Sequence, residues 1–245
     1  MEYHGKVTDH GFSPSRVLIV GAHPDDVDFG CAGTTATWTS SGVSVAYCII
    51  TDGAAGGRST GRSREELRTL REKEQRAAGA VIGVTDITFL GYPDGELFAT
   101  LELRKEVTRV IRRVRPDLVV CQSPERNWER IHASHPDHLA AGEATLCAVY
   151  PDARNPYSYP ELLEEGLEAH VVTEVWLTGT SNPNHAIDIT DAFDKKCEAL
   201  QQHASQIDDV EALLARITAM GAKTAEEMGL GEGCKAETFR RINTQ

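Results

Sequence analysis

Two short stretches concentrate the groups that could do chemistry. His23-Pro24-Asp25-Asp26 sets an imidazole beside two carboxylates. His-Pro-Asp recurs at 135–137, inside a run holding His132, His135, Asp137 and His138. Imidazole plus carboxylate is a typical ligand set for zinc, or for iron(II). Residues three apart in a turn or a first helical turn can point the same way; His23 and Asp26 have this spacing, and so do His135 and His138. A three-ligand site leaves one coordination position for water, as in a catalytic zinc centre. Asp25 is then a carboxylate that cannot easily reach the same metal from the same side, free to act as a base toward a metal-bound water. Plainer readings exist for each cluster alone: Asp25 and Asp26 as a helix cap, His135 and His138 as surface residues at a helix start.

Both clusters need a scaffold that brings them together. Apolar, β-branched runs at Val17–Val20, Val43–Thr51, Asp86–Leu90, Leu118–Gln122 and Glu174–Thr178 alternate with helical patterns. That alternation predicts an α/β fold, a Rossmann-like, largely parallel sheet with helices on both faces, in a single domain spanning 1–245. The first helix is expected at Thr34–Ser41, ended by Gly42. The second is expected at Ser63–Ile82, opened by a Ser63/Glu66 capping box and stopped by Gly83. Leu103, Val107, Val110, Ile111 and Val114 form a helical stripe before Pro116. Further helices are expected at His138–Val149, at Asp191–Ser205 and around Val210–Ile217. In open α/β sheets ligands bind beyond the carboxyl ends of the strands, which is where both histidine clusters fall. The glycine-rich loop 52–62 and the Tyr/Pro segment 150–160 are expected to shape the rim.

Composition narrows the partners. Lys+Arg 25 against Asp+Glu 37 gives a net charge of −12, which argues against nucleic acid or an anionic membrane surface. No apolar run approaches the roughly 18–20 residues of a membrane span. The first residues show no signal-peptide core, so a cytoplasmic location is expected. The six cysteines are far apart with no CxxC pair and read as reduced core residues. No GxGxxG follows the first strand, and GAAGG lacks a following Lys-Ser/Thr pair, so neither a nicotinamide cofactor nor a phosphate cradle is expected.

The residues resemble the PIG-L/LmbE-like metal-dependent de-N-acetylases. AHPDD after the first strand and SHPDHLAAG later carry the resemblance. TDGAAGG, REKEQRAAGAVIGV, FLGYPDGEL and AIDITDAFDKKCEALQQHASQ support it across most of the chain. The resemblance implies His23, Asp26 and His138 as ligands of Zn2+, with Fe2+ or another divalent metal as alternatives. It implies Asp25 as general base, His135 as the group that stabilises the oxyanion and serves the leaving amine, and Asp137 as the residue that orients His135. It associates Arg71 and Asp94 with substrate. Their plainer readings are a helix-neighbour salt bridge of Arg71 with Glu74 and an ordinary Pro-Asp-Gly turn. One position departs from the pattern. Many relatives carry Glu after His-Pro-Asp-Asp; here Val27 stands there, followed by Asp28, so an acidic contact near the metal is lost or moved.

The expected reaction is hydrolysis of an N-acyl amide on a GlcNAc-like small molecule, with Asp25 taking a proton from the attacking water and a protonated His135 facing the oxyanion. Amidase action on a thiol-conjugate amide is the near alternative. An iron(II) oxygenase or a non-catalytic metal- or sugar-binding protein would need neither Asp25 nor the second histidine. The family resemblance also admits a homo-oligomer. His4, His10 and His170 have no evident partner, and His203 reads as structural.

Overall fold

The computed structural model describes residues 12–56, 61–128, 131 and 134–245. His4, His10, His132 and part of the glycine-rich loop lie outside the described residues. Seven strands form the sheet: β1 (Arg16–Gly21), β2 (Ser44–Thr51), β3 (Asp86–Tyr92), β4 (Leu118–Gln122), β5 (Glu174–Thr178), β6 (His185–Asp188) and β7 (Ala236–Asn243). Their order is β3-β2-β1-β4-β5-β7-β6. The five strands from β3 to β5 are parallel; β7 pairs antiparallel with both β5 and β6.

Side chains on the parallel strands alternate between two cores. Leu18, Val20, Ala46, Cys48 and Ile50 face one layer, and Val17, Ile19, Val45, Tyr47 and Ile49 face the other. That is the period-two geometry of strands buried on both faces. One layer is α3 (Leu101–Val114) with α4 (Pro136–Cys147), and the other includes α1 (Asp26–Ser40) and α2 (Arg64–Val81). α5 (Pro160–Glu164), α6 (Phe193–Gln201) and α7 (Val210–Glu227) are the remaining α-helices among the described residues. The six cysteines are free.

The local signals read from the chain form as physics predicts. Ser63 and Glu66 make the reciprocal capping box of α2. Arg115 ends α3 in a left-handed conformation before Pro116.

Four readings change. The first helix begins at Asp26, eight residues before Thr34, because Asp28 N and Phe29 N already donate to Asp25 O. It is buried on several sides, so it shows no amphipathic stripe that would reveal its start. The helix expected at His138–Val149 starts earlier, at Pro136, with His135 as its cap. The one expected at Asp191–Ser205 is shortened to α6 between two 3-10 turns, Thr190–Ala192 and Ala204–Gln206. The antiparallel pair β6 and β7 was not evident in the sequence: β6 has only 4 residues, too few for a period to register.

The topology places the chemistry. β1 lies between β2 and β4, so the chain leaves its neighbours in opposite directions there. Such a switch point opens a crevice at the carboxyl edge of the sheet. The turn after β1 carries His23 to Asp26, and the loop and helix after β4 carry His135 to His138. The Gln122 side chain at the end of β4 accepts the Ala22 N–H at 3.0 Å, tying the two strand ends together.

Candidate active site

His23, Pro24 and Asp25 make a tight turn into α1. The backbone N–H of His23 donates to Asp26 Oδ2 at 2.7 Å, and the same oxygen lies 3.1 Å from His23 Nδ1. The other oxygen, Oδ1, lies 3.1 Å from His138 Nε2. Asp26 therefore stands between two histidines that are more than a hundred residues apart in the chain. His135 completes a triangle: its ring centroid is 4.9 Å from that of His23 and 5.4 Å from that of His138.

This donor set fits a divalent metal. Zinc bonds to nitrogen and oxygen of about 2.0–2.2 Å put neighbouring ligand atoms roughly 3.3 Å apart. The two 3.1 Å separations around Asp26 are close to such edges. His23, His135 and His138 also bring one nitrogen each within 4.8 Å of one another, and His23 does the same with Asp94 and Asp137. The metal set is thus crowded with acceptors on the far side of His23.

That far side is well organised. His23 Nε2 lies 3.1 Å from Asp137 Oδ2 and 3.1 Å from Asp94 Oδ1. Asp137 is fully buried and accepts the N–H groups of Gly95 at 2.7 Å and Leu97 at 3.2 Å. Carboxylates on the outer nitrogen fix the orientation and raise the basicity of a ligating histidine. The sequence reading gave Asp137 the task of orienting His135; its carboxylate instead contacts His23, while only its backbone N–H reaches His135, donating to Nδ1 at 3.2 Å. Asp94 holds the loop after β2 by accepting the Ala55 N–H at 2.9 Å.

Electrostatics divide the groups. Burial disfavours a charged His23, but hydrogen bonds to Asp137, Asp26 and Asp94 overcome it and push its pKa up to about 12. The carboxylates therefore favour a positive charge at this point, as a bound cation would supply. Burial and the charge of His23 hold His135 below the usual imidazole range. Because Nδ1 accepts the Asp137 N–H, the neutral ring carries its proton on Nε2.

Asp25 faces another way. Its Oδ2 lies 3.2 Å from Arg71 Nη2, which also donates to Pro24 O at 2.6 Å, while Nη1 donates to Gly53 O at 2.8 Å. Arg71 and Asp94, expected to hold substrate, are 3% and 6% exposed and occupied by these protein partners. Arg71 is not engaged with Glu74, whose carboxylate accepts instead from Ser205 N and Oγ at 2.8 and 2.7 Å. Gly56 lies where a Cβ would come within 2.2 Å of Arg71 Nη1, so the glycines of this loop make room for the guanidinium.

A groove of about 320 Å3 opens beside Asp26 and His138, with Phe29, Phe193 and Met220 on its apolar wall and Thr178 and Thr238 among its hydroxyls. The segment 150–160, expected at the rim, does not line it. Arg112 fastens that segment to α3 through the carbonyls of Asp152, Asn155 and Ser158, and Arg104 does so through the Asp152 carboxylate.

Sequence reasoning missed Gln75 and set His203 aside. Gln75 and Asp28 are fully buried and His203 nearly so, and they hydrogen-bond to one another directly behind Asp25. Gln75 stands one helical turn after Arg71, on the same face of α2; that spacing was the available signal. Val27, by contrast, is 3% exposed in the core, packed so close to β1 that a Cβ on Gly21 would come within 2.8 Å of its Cγ1.

Known proteins carry the same architecture. The family model for PIG-L, GlcNAc-PI de-N-acetylase, matches residues 18–149. Diacetylchitobiose deacetylase of Thermococcus kodakarensis is 35% identical over 191 residues, covering 78% of this chain and 70% of that protein. A Bacillus anthracis protein named "Probable N-acetyl-alpha-D-glucosaminyl L-malate deacetylase 2" is 34% identical over 198 residues, 78% and 81% of the two chains. The structure of N,N'-diacetylchitobiose deacetylase from Pyrococcus horikoshii superposes with a TM-score of 0.86 at 31% identity, covering 94% of this chain and 84% of that one. Together with the paired His-Pro-Asp stretches at the switch point of the sheet, these matches show that the chain belongs to the PIG-L de-N-acetylase family.

Proposed function

We propose that this protein hydrolyses the N-acetyl amide of a GlcNAc-type glycoside, with His23, Asp26 and His138 holding a divalent metal, zinc by the character of the donors. The observation that carries the reading is the position of Asp26, shared between two histidines, next to an Asp25 turned away from both. A divalent ion in this position supplies Lewis acidity toward the acyl oxygen and lowers the pKa of water.

The chain's own groups do the rest. Asp25 accepts the proton of the attacking water. Burial and the charge of Asp26 push its pKa up to about 6, which keeps it ionised at neutral pH yet basic enough for the task. Arg71 holds the Asp25 carboxylate in place. His135 offers Nε2–H to the oxygen that gains charge as the tetrahedral adduct forms. Asp25, once protonated, returns the proton to the departing nitrogen, without which an amine leaves poorly. Asp137 and Asp94 orient His23. A direct role of Arg71 or Asp94 on substrate would require their release from these partners. The groove beside His138 receives the remainder of the glycoside.

None of the described helices is long and apolar enough to cross a membrane. The test is release of primary amine from N,N'-diacetylchitobiose and from free GlcNAc by the zinc-loaded protein, before and after dialysis against a chelator and again after adding zinc. Activity that disappears with chelation and returns with zinc is expected. Chelator-insensitive release would remove the metal from the reaction, and hydrolysis confined to a thiol-conjugate amide would move the protein to the amidases.

A further inference from the structure

Asp25 is not glycine, yet its backbone stands at φ 91°. An L-residue stays in that region only where its surroundings over-determine it. Three contacts do so here. Asp28 N and Phe29 N donate to Asp25 O at 2.9 and 3.0 Å. Arg71 grips Pro24 O. The Asp25 N–H itself donates to Gln75 Oε1 at 2.8 Å.

The third contact depends on which way an amide points. A primary amide offers an acceptor at one end and two donors at the other. Reversed, Gln75 would set its NH2 group against the Asp25 N–H, donor against donor. Its orientation is fixed from behind: Gln75 Nε2 donates to Asp28 Oδ2 at 2.7 Å, and a carboxylate accepts only a donor. Asp28 is fixed in turn, because the same oxygen lies 2.8 Å from His203 Nε2. All three side chains are buried: Gln75 and Asp28 are 0% exposed and His203 1%.

We propose that His203, Asp28 and Gln75 form a positioning relay that holds Asp25, through its backbone N–H, in the conformation that turns its carboxylate away from the metal ligands. The relay joins the turn after Gln202 to α2 and α1, so the carboxyl-terminal third of the chain sets the geometry of a catalytic group near the amino terminus. It rests on the assignment of Asp25 as base.

The test uses the zinc-loaded full chain with substitutions Gln75→Met, Asp28→Leu and Asp28→Asn. Asparagine still presents an oxygen to Gln75 and His203; leucine does not. For Gln75→Met and Asp28→Leu, zinc content and KM for N,N'-diacetylchitobiose are expected to stay near wild type. Their kcat is expected to fall by about tenfold to a hundredfold, the scale of a misplaced catalytic group. Amide exchange of residues 25–29 should quicken in both, while Asp28→Asn stays near wild type in kcat and exchange. Wild-type kcat and exchange in Gln75→Met would overturn the relay. So would equal damage by asparagine and leucine at position 28 in step with lost thermal stability. An Asp25→Asn control separates the two levels: if it keeps kcat, the base assignment fails, and exchange at 25–29 still decides the relay.

Discussion

Asp25 and Asp26 are adjacent in the chain and opposite in environment. Asp26 is held well below the usual carboxylate range because His138 and His23 outweigh the cost of its burial. Asp25, also enclosed, is pushed up to about 6 by burial and by the charge of Asp26, with Arg71 only partly offsetting them. Two identical side chains thus separate into a permanent anion suited to ligation and a carboxylate suited to proton transfer.

Asp25→Asn is expected to fold and to bind zinc as wild type does, because Asp26, His23 and His138 are untouched. Turnover should fall by about 10²–10⁴-fold, the typical contribution of a general base. Zinc content by elemental analysis, with kcat on N,N'-diacetylchitobiose, checks both halves; wild-type turnover would exclude Asp25 as the base.

His203 gives stability a pH dependence of definite sign. Burial opposes its charged form, but the hydrogen bond to Asp28 and the charges of Asp28, Asp25 and Glu74 outweigh burial and raise its pKa. A pKa above the unfolded value of about 6.5 means that its protonated form stabilises the fold. That contribution is fully present below about pH 6.5 and is lost as pH rises through the folded value. The Tm difference between wild type and His203→Gln should therefore be largest in mild acid and shrink toward alkaline pH. Growth of the difference with pH would contradict the Asp28 pairing.

Gly142 tests how closely α4 must approach the sheet. A Cβ there would come within 2.3 Å of Gln122 O and 2.9 Å of Pro124 N, both backbone atoms that cannot turn aside. Alanine is the better helix former by about 1 kcal/mol, so propensity alone predicts stabilisation. Overpacking predicts the reverse, a net loss of about 1–3 kcal/mol. Gly142→Ala should lower Tm and, by shifting the helix that carries His138, weaken zinc retention; a raised Tm would show that α4 has room to move.

Much of this protein was legible in its sequence. Alternating apolar runs placed the five parallel strands, and residue types at short spacing placed the capping box of α2, the two His-Pro-Asp clusters and the distinct character of Asp25. These are local properties, and local pattern carries them. What required tertiary structure lies between distant residues: Asp28 meets Gln75 47 positions away and His203 175 away, and no periodicity records such pairs. The same holds for Asp137, whose short-range neighbour His135 was the natural partner on paper. Packing turned its carboxylate to His23, 114 positions distant, because two backbone N–H groups from the loop after β3 fix it there. The antiparallel strands β6 and β7 escaped notice for a related reason: a four-residue strand and its partner specify each other by pairing rather than by pattern. The sequence by itself determined which groups could ligate, donate and accept; burial and long-range hydrogen bonds decided which of them face one another, and therefore which carboxylate lies between two histidines and which lies against Arg71.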